Sequence, residues 1–197
     1  MRLFFLVLFE MYTLSSVHAY PDGSVASACN TMLPNHPSFE PQTTTALYRV
    51  TVNRVACRPG DMITVTLESV NSIKFEGFML QALPTSGKGA QGSFMAGDAR
   101  LVRLHNCFNI EKSTISHSGP NEITQLEVMW VAPPSPAPSN ITFCATIVRN
   151  YTEFWTMVKS PPILLSNSPT LAVNCLMMLF NILIALGLFR SSSLTLL

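Results

Sequence analysis

Five cysteines, Cys29, Cys57, Cys107, Cys144 and Cys175, are the residues of this chain with the most definite chemistry to offer. A thiol can act as a nucleophile, bind a metal or pair with a second sulfur, and the compartment decides which. No Cys-x-x-Cys spacing occurs, so a thiol-exchange centre or a zinc ribbon has little support. The four cysteines between residues 20 and 162 form an even set, which in an oxidising compartment pairs into disulfides by one of three connectivities. The pairing adopted is Cys29 with Cys107 and Cys57 with Cys144. The first bridge would pin a proline-rich N-terminal segment to a strand end and close a long loop; the second would staple one edge of a sheet. The competing reading for Cys57 and Cys144, both inside apolar runs, is a pair of buried thiols.

The remaining chemistry-bearing residues do not converge on a reaction. His36, His105 and His117 are never spaced as i, i+4 ligands, and no Gly-x-Ser-x-Gly, His-Glu-x-x-His or phosphate-cradling loop is present. Gly87-Lys88-Gly89-Ala90-Gln91-Gly92 is rich in glycine but lacks the strand-to-helix setting of a phosphate loop, and is read as a hairpin tip. Asp61 and Glu76 are assigned turn and surface roles, His117 a strand-end role bonded to backbone, and His36 a loop position. Arg49, Arg54, Arg58, Arg100 and Arg103 could gather into a patch for anionic glycans; a solvated sheet face is the default. Asn140-Ile141-Thr142 and Asn150-Tyr151-Thr152 are acceptors for N-linked glycan, whereas Asn167-Ser168-Pro169 is not. No catalytic residue, metal ligand or cofactor is expected.

These assignments depend on export, and both ends of the chain speak to it. Residues 1–19 have a basic start, an apolar core and the small-residue exit Val17-His18-Ala19, the pattern of a secretory signal cleaved before Tyr20. Residues 171–189 are apolar except for Asn174, Asn181 and Gly187, and as a helix would reach about 28 Å, enough to cross a bilayer. Arg190 follows, which places residues 190–197 on the cytoplasmic side and makes Cys175 a lipid-facing thiol. The rival attachment is a glycolipid anchor signalled by Ser166-Asn167-Ser168. Removing Arg2, Arg190 and Glu10 from the 12 basic and 11 acidic residues leaves ten of each. The exported part is therefore neutral, and with no basic run it is not expected to bind nucleic acid.

The elements that must position these residues are strands. Residues 48–55 and 62–67 are rich in β-branched and aromatic side chains, often with a polar residue between. Arg58-Pro59-Gly60-Asp61 between them forces the chain to reverse or to change sheet. Further runs at 75–82, 93–96, 99–104, 113–118, 123–130, 141–148 and 151–158 give eight or nine short strands. A hairpin is expected across 83–98, and Gly77 marks a bulge or a close backbone approach. The fold class is all-β, an antiparallel two-sheet sandwich. Its expected organisation is a signal peptide at 1–19, a sandwich at 20–162, a linker at 163–170, a transmembrane helix at 171–189 and a tail at 190–197.

Several pieces of this sequence, in order, resemble the Reeler (reelin-type) domain family. They are Ala28-Cys29-x-x-Met32-x-Pro34-x-His36, Arg58-Pro59-Gly60-Asp61, Phe75-x-Gly77-Phe78-x-Leu80-Gln81-Ala82, Gly92-Ser93-Phe94, Ile115-Ser116-His117-Ser118, Trp130-x-Ala132-Pro133 and Ala145-Thr146-Ile147-Val148. The resemblance covers residues 20–162. It implies an immunoglobulin-like sandwich with a disulfide between Cys29 and Cys107, and carries no such expectation for Cys57 and Cys144. Family members include matrix and neuronal-guidance proteins, insect defence proteins that bind microbial surfaces, and ferric-chelate reductases in which other domains carry haem. The single apolar span here has no histidine to hold haem. The expectation is a non-catalytic, glycosylated, single-pass surface protein that presents its sandwich to an extracellular protein, glycan or microbial ligand. The alternatives are an accessory or truncated relative of the reductases in membrane metal or electron transfer, and a secreted defence protein.

Overall fold

The structure, a computed structural model, describes residues 22–166 apart from 87–88 and 96. The expected signal peptide, membrane helix and tail, with Cys175, lie outside the described residues. Among the described residues there are eleven strands: β1 (Tyr48–Val52), β2 (Ala56–Cys57), β3 (Met62–Ser69), β4 (Gly77–Pro84), β5 (Ser93–Phe94), β6 (Val102–Cys107), β7 (Ile110–His117), β8 (Gln125–Val131), β9 (Asn140–Val148), β10 (Phe154–Lys159) and β11 (Ile163–Leu165). They form two sheets, in the orders β1-β3-β8-β5 and β2-β11-β9-β4-β7-β6. β10 and β11 share one edge of β9, each pairing with a different part of it.

The turn at 58–61 does both things open to it. β1 and β3 pair antiparallel, with Val50 opposite Leu67, while Ala56 and Cys57 between them cross into the second sheet beside β11. Asp61 holds the turn by accepting the Arg58 N–H at 2.9 Å, and Gly60 has φ +83°, a conformation open to glycine. Between the sheets, Ile63, Val65 and Leu67 of β3 face Ile141, Phe143, Ala145 and Ile147 of β9 within one core. Trp130 is fully buried, meets Phe143 edge-on at 5.1 Å, and donates its indole N–H to the Gln91 carbonyl at 2.9 Å. Each large apolar side chain buried in this way contributes about 1.5–3 kcal/mol.

Three expectations are corrected. Residues 83–98 do not make a hairpin: β5 leaves the sheet of β4 and pairs with β8, because Phe94 buries against Phe143 only from the opposite layer. The sandwich continues past residue 162, since Ile163–Leu165, read as linker, forms β11, with Ile163 and Leu165 facing the core. Cys57 and Cys144 do not form the expected bridge but remain free, buried thiols. β11 lies between their strands, a separation of roughly 10 Å across the sheet. Cys57 faces the sandwich core and Cys144 the opposite side of the sheet, whereas a disulfide needs Cα atoms within about 7 Å. Cys29 and Cys107 do bridge, with Cα atoms 5.5 Å apart.

A non-reducing peptide map should return one crosslinked pair, Cys29 with Cys107, and alkylation of Cys57 and Cys144 only after denaturant is added. A crosslinked peptide containing Cys57 and Cys144 would contradict this arrangement. The 78-residue separation gives a loop-entropy contribution of about 4.5 kcal/mol, so a C29A/C107A double variant should lose stability of that order in chemical denaturation.

Candidate functional site

The outer side of the second sheet is covered. Met79 of β4, Cys144 of β9 and Cys107 of β6 pack there against Val25, Ala28 and Met32 of the N-terminal segment, which crosses the sheet as a strap. Three polar side chains on this side are spent on the strap's backbone, while the buried hydroxyl of Thr114 has no protein partner. Gln81 donates to the Cys29 carbonyl at 3.1 Å, and the Thr146 hydroxyl donates to the Met32 carbonyl. Ser116 donates to the Gly23 carbonyl at 2.6 Å and contacts His105 Nε2 at 2.8 Å. A hydroxyl has one proton to give, so His105 is the donor in the second contact. Gly23, at φ +71°, passes so close to β7 that a Cβ would lie 1.6 Å from the His117 carbonyl oxygen; only glycine fits. At the disulfide, Ser113 Oγ bonds both the N–H and the carbonyl of Cys107, at 3.0 and 2.9 Å.

Beyond the end of the strap's contact with the sheet lies a recess of about 200 Å³. Its floor is Gly77, the one outward position of β4 without a side chain, flanked by Val148 and His117. Met32, Leu33, Pro34 and His36 form one wall, and Tyr151 closes another. His36 is 9% exposed, its ring 4.4 Å from that of Tyr151 and edge-on to Phe154 at 5.3 Å. Burial pushes its pKa below the ordinary imidazole value, opposed by a hydrogen bond to the Tyr151 backbone. Its Nδ1 is buried with no hydrogen-bond partner. His117 ends β7 as expected, with Nδ1 3.2 Å from the Phe78 nitrogen, bonding the backbone where the β4–β7 ladder stops. A larger recess of about 490 Å³ is lined by Cys29, Leu83, Gly89 and Phe108.

The other sequence-derived candidates disperse. Asn140 opens β9 and Asn150 follows its end, so the two glycan acceptors mark opposite ends of the sandwich rather than one rim. Asn150 Oδ1 accepts from the Thr152 hydroxyl at 2.9 Å. Arg49 pairs with Glu68, Arg100 with Asp98 and Arg103 with Asp22, each on a separate strand or turn, and no common patch results. Asp61 stays in its turn, and Glu76 lines the recess. What the sequence reading missed was the strap-covered face. Its signal was available in the unbroken apolar run Phe78-Met79-Leu80, which does not alternate because β4 is buried on both faces from Gly77 to Ala82.

Comparison with known proteins gives a consistent result. A family model described as the Reeler domain matches residues 27–171. Ferric-chelate reductase 1 of Bos taurus is 36% identical over 158 residues, covering 79% of this chain and 26% of that protein. The Mus musculus protein of the same name is 35% identical, over 78% of this chain and 25% of its own length. The chain thus spans about a quarter of the length of these curated relatives. A protein of Antheraea mylitta named for a role in defense is 28% identical, and the match covers 76% of this chain and 89% of that protein. Among solved structures, the human F-spondin reeler domain superposes with a TM-score of 0.56 at 20% identity, over 66% of this chain and 96% of that domain, a likeness of fold.

The buried imidazole of His36 and the half-buried one of His105 set a pH dependence. Burial lowers the pKa of both His36 and His105, so on acidification the unfolded chain takes up protons before the folded one does. Their contribution is complete above the unfolded value of about 6.5 and is lost as pH falls toward the folded values. The denaturant midpoint should therefore fall between pH 7 and pH 5, and an H36F/H105Q variant should show a flatter profile; a midpoint that holds or rises on acidification contradicts this. Thr146→Val leaves the Met32 carbonyl unpaired and should cost about 1–3 kcal/mol, with earlier protease cleavage in the strap as the local readout.

Proposed function

The chain belongs to the Reeler domain family, and from that premise we propose that it is a non-catalytic, glycosylated recognition protein of the cell surface. One observation carries this reading. β9 runs from Asn140, paired with β11 where the described chain leaves at Ser166, to Val148, which lines the recess. The nine residues of β9, eight steps of about 3.3 Å, separate the two ends by about 26 Å. Since residues 171–189 are read as a membrane span, the recess is held at the end of the domain away from the bilayer, facing an extracellular protein, glycan or microbial surface. The Cys29–Cys107 disulfide supports export, because such bridges persist in oxidising compartments. The plasma membrane is the proposed location, with Asn140 and Asn150 carrying glycan.

A second reading has a specific observation behind it: the mammalian relatives are named ferric-chelate reductases. In that reading the chain assists metal or electron transfer at a membrane. A third, a secreted defence protein, draws on the relative from Antheraea mylitta, nearly all of which aligns.

Expression of the full chain on cells separates the three. The surface reading expects release only by detergent, insensitivity to a phospholipase that cuts glycolipid anchors, and a stepwise loss of glycan mass in N140Q and N150Q. Ferric reduction should stay at the level of untransfected cells, and the purified protein should show no haem absorbance. Raised reduction or copurified haem would establish the second reading instead, and release into the medium without detergent the third.

A further inference from the structure

The outward positions of β3 and β8 are polar for most of their length, with Thr64, Thr66, Gln125 and Glu127 among them. Three methionines share the corner where this ends. Met62 opens β3 and is 51% exposed, Met95 follows β5 and is 44% exposed, and Met129 of β8 is half-buried. Each is next in sequence to a core residue, Ile63, Phe94 and Trp130, so all three side chains lie on the outer face of the first sheet. The register brings them together. β8 lies between β3 and β5, and Met95 donates its backbone N–H to the Met129 carbonyl at 2.9 Å, which sets these two side by side. From the other flank Met62, opposite Val131, is the diagonal neighbour of Met129. Lateral and diagonal neighbours on a sheet lie within reach of long side chains. Thr64, directly opposite Met129, donates its hydroxyl to Met129 Sδ at 3.4 Å and so holds the central sulfur in place.

We propose that Met62, Met95 and Met129 form a thioether site for one soft monovalent cation, copper(I), bound without change of oxidation state. The ligand type sets the metal. Thioether sulfur is soft and polarizable and selects copper(I), whereas magnesium and calcium take oxygen ligands. Methionine is also the one sulfur ligand that needs no deprotonation, so the site works at any pH at which the domain is folded. Its three rotatable bonds let the outer two side chains swing toward the central one. The charge agrees with a cation: Glu127, exposed on the same face, stands two positions along β8 from Met129, about 7 Å away. The hydroxyl of Thr64 acts behind the ligand, orienting the sulfur it touches. The proposal goes beyond the recognition reading and does not depend on it, because the corner lies on the first sheet and the recess on the outer side of the second.

The test uses the full chain as cells deliver it, in lipid nanodiscs where detergent is needed to extract it and in buffer where it is not. The methionine methyl groups carry carbon-13, and silver(I) serves as a redox-inert stand-in for copper(I). Met62→Leu, Met95→Leu and Met129→Leu assign the three NMR signals, each removing one ligand from a position that is not buried, so melting without metal should stay native. In the native chain the three signals should move together and saturate at one equivalent. Each variant should weaken silver binding by about tenfold or more. Met157, 41% exposed on β10 of the other sheet, should stay still over the same range. Affinity should be the same at pH 7 and pH 5, calcium should move none of the signals, and copper(I) supplied anaerobically with ascorbate should reproduce the silver shifts. Silver uptake that leaves the three signals unmoved, equal movement of Met157, affinity unchanged in the variants, or a steep loss on acidification, the mark of thiolate or imidazole ligands, would each overturn the proposal. Detergent release from cells judges the surface reading separately, whatever the metal does.

Discussion

Gln81, Ser116 and Thr146 point away from the sandwich core and are nevertheless buried, and this constraint governs the architecture. A two-sheet sandwich ordinarily leaves its outer faces to water, where such side chains need no protein partner. Here they are dry, so each must be matched, and the groups that match them are the carbonyls of Cys29, Gly23 and Met32. The strap has no periodic pattern of its own from which to build a core. It is held by meeting the hydrogen-bonding needs of the sheet beneath it, by a small apolar cluster, and by one covalent bridge to β6. Removing any of the three matched carbonyls would leave a buried donor unpaired, which costs more than the bond itself contributes net. The strap and the sheet therefore order each other.

The sandwich was legible in the sequence because β3 and β8 obey its simplest rule. Their residues alternate between core and surface, and the two strands pair in register from Met62 with Val131 to Glu68 with Gln125. The turn at Pro59-Gly60-Asp61 and the strand-end role of His117 were equally readable, since both follow from local chemistry. The crossover of β5 was not. Pro84 to Gly92 looks like a hairpin tip locally, and only the non-local attraction of Phe94 for Trp130 and Phe143 sends the chain to the other sheet. β11 was hidden by its length: three residues after Pro161-Pro162 carry no pattern, yet Ile163 and Leu165 face the core. The pairing of Cys57 with Cys144 failed on a property the sequence does not display, namely that their strands present them to opposite faces with a third strand between.

The recess is a consequence of the same layering. Along β4 the outward positions are Gly77, Met79 and Gln81: an apolar residue under the strap, a polar one matched to it, and a position with no side chain at all. Beside the point where the strap leaves the sheet after Met32, Gly77 lets Val148 and His117 close over β4, since a Cβ there would lie 3.2 Å from the Val148 Cβ. Met32 has φ +54°, a left-handed conformation uncommon for a residue with a side chain, and this is where the segment changes direction. Its carbonyl is the one held by Thr146 and its side chain is buried, so the turn is fixed from both sides. Ala28 and Met32, which wall the recess, flank Cys29, which carries the bridge. The order of the recess wall and the anchorage of the strap are thus one property, and the disulfide acts on the shape of the recess through the backbone between Cys29 and His36.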